Sequence, residues 1–249
     1  MEGGRILRNS QIIILGICIA VATIVSSMIL SGGILKVMKF TREQITVTGS
    51  AQKDIKSDYL VWRGDFWRRE VDLKTAYALL KADADKVKQF LVSKGVNEND
   101  IRFSSVTTTT LYKKNEKGND TNDIQGYNLG QTAEVRSNDV DRVTNVSSES
   151  TELIAQGIEF SSQSPEYFYT KLDELKIEML AKATENAKER ASNMAKATGN
   201  RIGLMRSAKM GVFQITPANS TEVSDWGMND TSSLEKKVTA VVNVSFAIE

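Results

Sequence analysis

Residues 12–35 carry no charge and are dominated by Ile, Leu, Val, Ala and Met. At about 1.5 Å rise per residue such a run crosses a hydrocarbon core of about 30 Å. It predicts a membrane-spanning helix over 11–35, preceded by a short tail, 1–10, and followed by a linker, 36–43. Beyond the linker the period changes. Ile45, Val47 and Gly49 alternate with Gln44, Thr46 and Thr48, which predicts a strand over 44–55. Ser57-Asp58 supplies a turn into a second strand over 59–69. Leu60, Trp62 and Phe66 share one of its faces, and Tyr59, Val61, Trp67, Arg63 and Arg69 share the other. Asp72 is then placed to cap a helix whose apolar positions, Leu73, Ala76, Tyr77, Leu80, Ala84, Val87, Phe90 and Leu91, recur at steps of three and four. Gly95 follows the last of them and reads as its stop.

The second half repeats these signals. A threonine-rich strand is expected over 101–112, a polar loop over 113–125 and a strand over 126–136. Ser137-Asn138-Asp139 introduces a helix to Gln156, and a short strand covers 158–162. Ser164-Pro165-Glu166 has the signature of a helix start, with a hydroxyl, a proline for the first turn and an acid near the positive end of the dipole. That helix is expected to run to Thr198, before Gly199-Asn200. Its apolar stripe passes from Leu172, Leu175 and Met179 to Ala183, Ala187 and Ala191, then Met194, small residues that let another backbone come close. Strands over 202–213 and 237–248 close the chain. They are separated by a long Ser/Thr/Asn/Asp-rich loop, 214–236, that carries Val223, Trp226 and Met228.

Charge sharpens the ends. Of 32 basic and 31 acidic residues, five cations (Arg5, Arg8, Lys36, Lys39, Arg42) but only one acid, Glu2, precede Glu43. Residues 44–249 are therefore close to balanced and slightly acidic, which gives no electrostatic reason for a nucleic-acid partner. Arg5 and Arg8 favour an N-terminus inside the cell, while Lys36, Lys39 and Arg42 argue the other way. The shortness of the preceding tail favours a signal anchor that exports the domain C-terminal to it. Small residues at Ser26-Ser27-Met28 and Ser31-Gly32-Gly33 leave a cleaved leader as the alternative. Histidine is absent and Cys18 is the only cysteine. A disulfide within the chain and the Ser–His and Cys–His nucleophile pairs are thereby excluded.

Four stretches in this order resemble the SIMPL-domain family of bacterial envelope proteins, which includes periplasmic immunogenic and oxidative-stress-defence proteins. They are Ile45-Thr46-Val47-Thr48-Gly49-Ser50-Ala51 with Asp58 after it; Gly95-Val96 followed by Asp100-Ile101-Arg102; Gly126-Tyr127-Asn128; and Gly157-Ile158-Glu159-Phe160 with the Ala/Lys-rich helix, Thr198-Gly199 and Ile202-Gly203 beyond it. The likeness covers about 44–246. It implies an α+β fold, here a transmembrane helix read from the apolar run followed by a single SIMPL-type domain, 44–249, of mixed and antiparallel strands packed with one long and two shorter helices. The chain departs from the family in keeping an anchor-like N-terminus and in the aromatic content of its second strand. The resemblance implies a self-assembling protein, some members forming rings or cages, with no established catalytic residue.

The expectation is therefore a single-pass membrane protein, N-terminus cytoplasmic and domain extracytoplasmic. It forms a homo-oligomer with a structural, scaffolding or stress-protective role in the cell envelope and has no enzymatic activity. No catalytic, metal-binding or cofactor-binding residue is assigned, and no cofactor is expected. Contacts with other subunits or with the lipid bilayer are expected from Trp62, Phe66, Trp67, Arg68 and Arg69 on the second strand, and from Val223, Trp226 and Met228 in the long loop. Two other readings compete. One is a binding module for another envelope protein or a ligand. The other is a hydrolase built on carboxylates such as Asp54, Asp58, Asp65 and Glu70.

Overall fold

The elements follow one another in an α+β order in a computed structural model, which describes the backbone of residues 3–249 and the side chains of 14–38 and 43–249. They are α1 (Gly3–Arg42), β1 (Gln44–Lys56), β2 (Tyr59–Glu70), α2 (Leu73–Ser93), β3 (Ile101–Phe103), β4 (Thr107–Lys114), β5 (Asp120–Ser137), α3 (Val140–Glu149) and α4 (Glu152–Ala155). After these come β6 (Glu159–Ser162), β7 (Glu166–Phe168), α5 (Leu172–Ala197), β8 (Ile202–Met210), β9 (Gln214–Pro217), β10 (Met228–Asn229) and β11 (Glu235–Ile248). The chain divides into two compact units. Unit one comprises Met1–Ser50, Ala181–Gly211 and Val241–Glu249, and unit two comprises Ala51–Leu180 and Val212–Ala240.

Unit one begins with α1, whose 25-residue stretch Ile14–Met38 is long and apolar enough to cross a membrane and has no buried residue. The helix passes through Gly32-Gly33 and through the expected linker to Arg42. A glycine inside a helix costs only about 1 kcal/mol, and neither glycine takes the positive φ that ends a helix. The rest of unit one centres on the last stretch of β11. β8 pairs with it antiparallel, from Ile202 opposite Ile248 to Met210 opposite Val242. β1 lies on its other side. There Ile248 N–H donates to the Glu43 carbonyl, and side-chain bonds join Thr46 to Ser245 and Thr48 to Asn243. Val47, Val242, Val244 and Phe246 are buried together with Ala183, Ala187, Ala191 and Ala195 of α5. Gly49 has a steric reason: a Cβ there would lie 2.1 Å from the Ala183 carbonyl oxygen and 2.6 Å from the Ala187 methyl. The alanine stripe and this glycine are two halves of one close approach.

Unit two is organised by β2, which pairs antiparallel with β5 along its whole length from Leu60–Ser137 to Glu70–Tyr127. β6 and β7 pair with the other edge of β2, and β3 and β4 with the far edge of β5. The core joins Leu60, Trp62 and Phe66 of β2 to Leu80, Val87 and Leu91 of α2, Leu129 and Val135 of β5, and Val143 and Val146 of α3. Burying rings of this size is worth several kcal/mol each at about 25 cal/mol/Å², which outweighs any use of them as surface contacts. Asp72 caps α2 by accepting the Thr75 N–H, and Asp139 caps α3 through Arg142 N–H. Gly95 takes φ +86° just beyond α2.

Four expected boundaries move. The strand over 101–112 is interrupted at 104–106, giving β3 and β4. The polar loop shrinks to 115–119, because β4 and β5 continue as a hairpin whose tip is tied by Asn115 Oδ1 accepting Lys117 and Asn119 N–H. The helix expected to reach Gln156 is broken at 150–151 into α3 and α4. The Ser164-Pro165-Glu166 signal opens a strand, β7, and not a helix. Tyr167 pairs with Leu60, its N–H donates to Thr231, and its ring is buried. Proline biases the residue before it towards extended backbone, so the local signal fits a strand equally well, and α5 starts only at Leu172. The loop 214–236 is also partly ordered. β9 pairs with β11 from Lys236–Pro217 to Thr239–Gln214, and β10 runs parallel to β9.

Candidate functional site

The two faces of β2 separate the residues expected to act together. Trp62 and Phe66 point into the core and are fully buried, with Trp62 Nε1–H donating to Ser162 Oγ at 3.0 Å. They are unavailable for an intersubunit or lipid contact. Arg68 shares their face. Its Nε–H donates to Asp83 Oδ2, one Nη2–H donates to Asp83 Oδ1 at 2.9 Å, and another to the Gly157 carbonyl at 2.8 Å. The hydrogen bonds to Asp83 raise the pKa of Arg68, burial opposing them. Arg68 is thus a partly exposed cation committed to Asp83 and the Gly157 carbonyl.

Trp67 and Arg69 occupy the outer face. Trp67 is half-buried over Gly130, where a Cβ would stand 2.9 Å from the indole Cδ1, and Arg69 donates to Glu159 at 3.2 Å. Beside them Arg63 donates to Glu134 (2.8 Å) and Glu166 (2.9 Å), and Arg136 donates to Glu134 at 2.6 Å. Burial opposes ionisation of Glu134, but the bonds from Arg136 and Arg63 outweigh it and hold the carboxyl below the usual carboxylate range. This face is a lattice of satisfied charges with one indole set into it.

Two carboxylates of the hydrolase reading, Asp58 and Asp65, accept hydrogen bonds within their own unit. Asp58 accepts the Thr170 N–H at 2.7 Å and its hydroxyl at 2.8 Å, which fixes the entry to α5. Asp65 accepts from Thr132 at 2.6 Å and Gln163 at 2.7 Å.

The long loop presents a different surface. Gln214 clasps it by donating to the Ser224 carbonyl at 2.6 Å and accepting the Ser224 N–H at 3.3 Å. Gly227, at φ +85°, turns the chain into β10. On the loop so shaped, Trp226 is 94% exposed and Val223 81%, whereas Met228 is half-buried in β10. The indole does not fold back on its own unit.

Sequence patterns passed over three features. Asp83 is 1% exposed on the buried face of α2, between Leu80 and Val87; an acid at that spacing was the available signal. Lys236 is buried and donates to the carbonyls of Tyr167 (2.7 Å) and Asp230, joining the segment before β11 to β7. Burial lowers its pKa, and Asp230 offsets part of that. On β8, read from the sequence only as a strand, Leu204, Met205 and Met210 are exposed.

Together these features define an α+β domain following a helix long and apolar enough to cross a membrane, with its surplus apolar surface on a loop and an edge strand. The chain belongs to the SIMPL family, whose model, described as a protein of unknown function (DUF541), matches residues 45–246. No curated protein matches it.

Proposed function

We propose that the protein is a membrane-anchored subunit that self-assembles on the extracytoplasmic side into a large homo-oligomer with a scaffolding or protective role in the envelope, and that it is not an enzyme. The observation that carries this reading is Trp226, 94% exposed on a loop held in shape by its own hydrogen bonds. An indole kept in water by an ordered loop is the kind of residue that dominates an interface once buried. One tryptophan and one valine fall well short of the roughly 1,600 Å² of a stable interface, so they act as an anchor within a larger contact. α1 supports the tether, and the shortness of the tail before its apolar span supports the direction.

The test is the mass of the protein extracted in mild detergent, measured by light scattering. Wild type runs as a large oligomer. Trp226→Ala weakens association about 30-fold, the equivalent of about 2 kcal/mol for a hot-spot residue, and shifts the protein towards smaller species. A monomeric wild type overturns the proposal. The same exposed indole would serve a module that binds another envelope protein. Cross-linking in cells separates the two, because a stoichiometric second protein in place of self-contacts selects the module.

A further inference from the structure

We infer that the groove between α2 and the β3–β4 edge receives Trp226 of a second copy of the chain, so that subunits join head to tail, loop into groove. This contact rests on the self-assembly proposed above and gives the exposed indole its seat.

The groove exists because the apolar stripe of α2 is wider than the cover it finds. Ala76 and Leu80 at its centre are buried, but Leu73 and Tyr77 on its flank remain 42% and 54% exposed. On this side the sheet ends at β3 and β4, and Val106 lies in the break between them. Leu73, Tyr77, Val106, Thr108 and Leu129 line the resulting hollow of about 580 Å³. Sites that take small molecules run from about 300 to 1,000 Å³, so the hollow has room for an indole. Filling it would remove apolar surface from water on both partners, at about 25 cal/mol/Å².

Groove and indole lie at opposite edges of one sheet. β4 pairs with the far edge of β5, whereas the loop is tied to β7, which pairs with the other edge of β2. The ties are Tyr167 N–H donating to the Thr231 carbonyl and Lys236 donating to the Tyr167 carbonyl, each at 2.7 Å. With β5 and β2 between them, β4 and β7 stand about 14 Å apart, three strand spacings. A subunit leaves both its own groove and its own indole uncovered. The contact is therefore heterologous: one loop fills the next copy's groove, and that copy's loop stays free for a third.

Charge favours this occupant. Residues 215–234 carry Glu222, Asp225 and Asp230 but no lysine or arginine. Glu222 and Asp225 are exposed and immediately precede the two exposed apolar residues, Val223 and Trp226. On the groove wall Lys74 and Lys81 lie about one helical turn on either side of Tyr77. Both are exposed, and among the described residues neither has an ion pair. The acids of the wall are placed differently. Asp72 is committed to the Thr75 N–H and hydroxyl, Glu98 is paired with Lys88, and Asp85 is about two turns beyond Tyr77. The free charges nearest the aromatic wall are thus positive, and they match the two acids that enter with the indole.

The test uses the full chain in mild detergent, with particle mass read by light scattering at a concentration where wild type is assembled. Tyr77→Glu sets a carboxylate in the groove at an exposed helix position and should weaken association at least about 10-fold. Trp226→Ala should do so from the loop side, and neither variant then assembles alone. Mixed in equal amounts they should form dimers and stop there. The loop of the Tyr77→Glu protein fits the groove of the Trp226→Ala protein, and the two remaining halves are both defective. Wild-type mass for Tyr77→Glu, or a mixture that stays monomeric, overturns the groove and leaves an assembled wild type to be explained by another contact. Monomeric wild type overturns both the groove and the self-assembly. If a lowered urea midpoint shows that Tyr77→Glu has lost its fold, Lys74→Glu with Lys81→Glu takes its place. That exposed pair should dissociate the oligomer, and adding Glu222→Lys with Asp225→Lys in the same chain should restore it. An oligomer left intact by the first pair, or not restored by the second, overturns the inference.

Discussion

Arg68 and Asp83 carry unequal risk although they share one ion pair. Asp83 is 1% exposed, and the next cation, Lys86, stands 4.0 Å away, whereas about a quarter of the Arg68 side chain reaches solvent. Removing the cation strands a buried carboxylate; removing the acid leaves a guanidinium that can turn to water. Arg68→Met is expected to destabilise unit two by about 3 kcal/mol, and Asp83→Leu by clearly less. Urea titration of the two variants checks the order, and equal losses would refute the asymmetry. At Gly49 the constraint is steric: an added methyl meets the backbone of α5, which cannot rotate aside as a side chain would. Gly49→Ala should lower the thermal midpoint of the protein by roughly 5–10 °C, the effect of about 2–3 kcal/mol of overpacking in a chain of this length. The sequence marked Gly49 only as part of an alternating strand. Its partner stripe is more than a hundred residues away, so no local window connects them.

At the scale of elements, the β4–β5 hairpin outruns its sheet. β2 ends where Glu70 faces Tyr127, yet β5 begins at Asp120 and β4 ends at Lys114, so residues 112–125 form an arm of two strands with no third. Tyr112 and Ile124 face each other on it and are both exposed. The arm buries almost nothing, so replacing residues 113–123 with Asn-Gly, a two-residue turn suited to a hairpin, should move the melting midpoint by less than about 2 °C. A large fall would show that the arm packs on its own chain. Its polar sequence suggested a loop because period and hydrophobicity report burial, and a solvated hairpin has none to report. The caps were legible for the opposite reason: Asp72 and Asp139 each bond an N–H three residues ahead, wholly within a local window. Ser164-Pro165-Glu166 offered an equally local signal, but it is compatible with two conformations. The pairing of Tyr167 with Leu60 chose between them.

At the scale of the whole molecule, the 25-residue stretch Ile14–Met38 is apolar on average and has no buried member. Protease added to intact spheroplasts of an expressing bacterium is expected to digest residues 39–249, and full protection would reverse the topology. If subunits assemble through the loop at Trp226, one anchor per subunit gathers several spans into one patch of membrane. Attachment is then multivalent and firmer than a single helix provides. The apolar span, the alternation of the strands, two of the helix caps and the family likeness all rest on neighbours within a few turns or on residue order, and these were settled in the sequence. The order of β2's neighbours, the burial of Trp62 and Phe66, the pairing of Arg68 with Asp83 and the isolation of Trp226 were settled only by tertiary structure. Each depends on which distant segment occupies the other side of a strand, and side-chain period names a face without naming what will cover it.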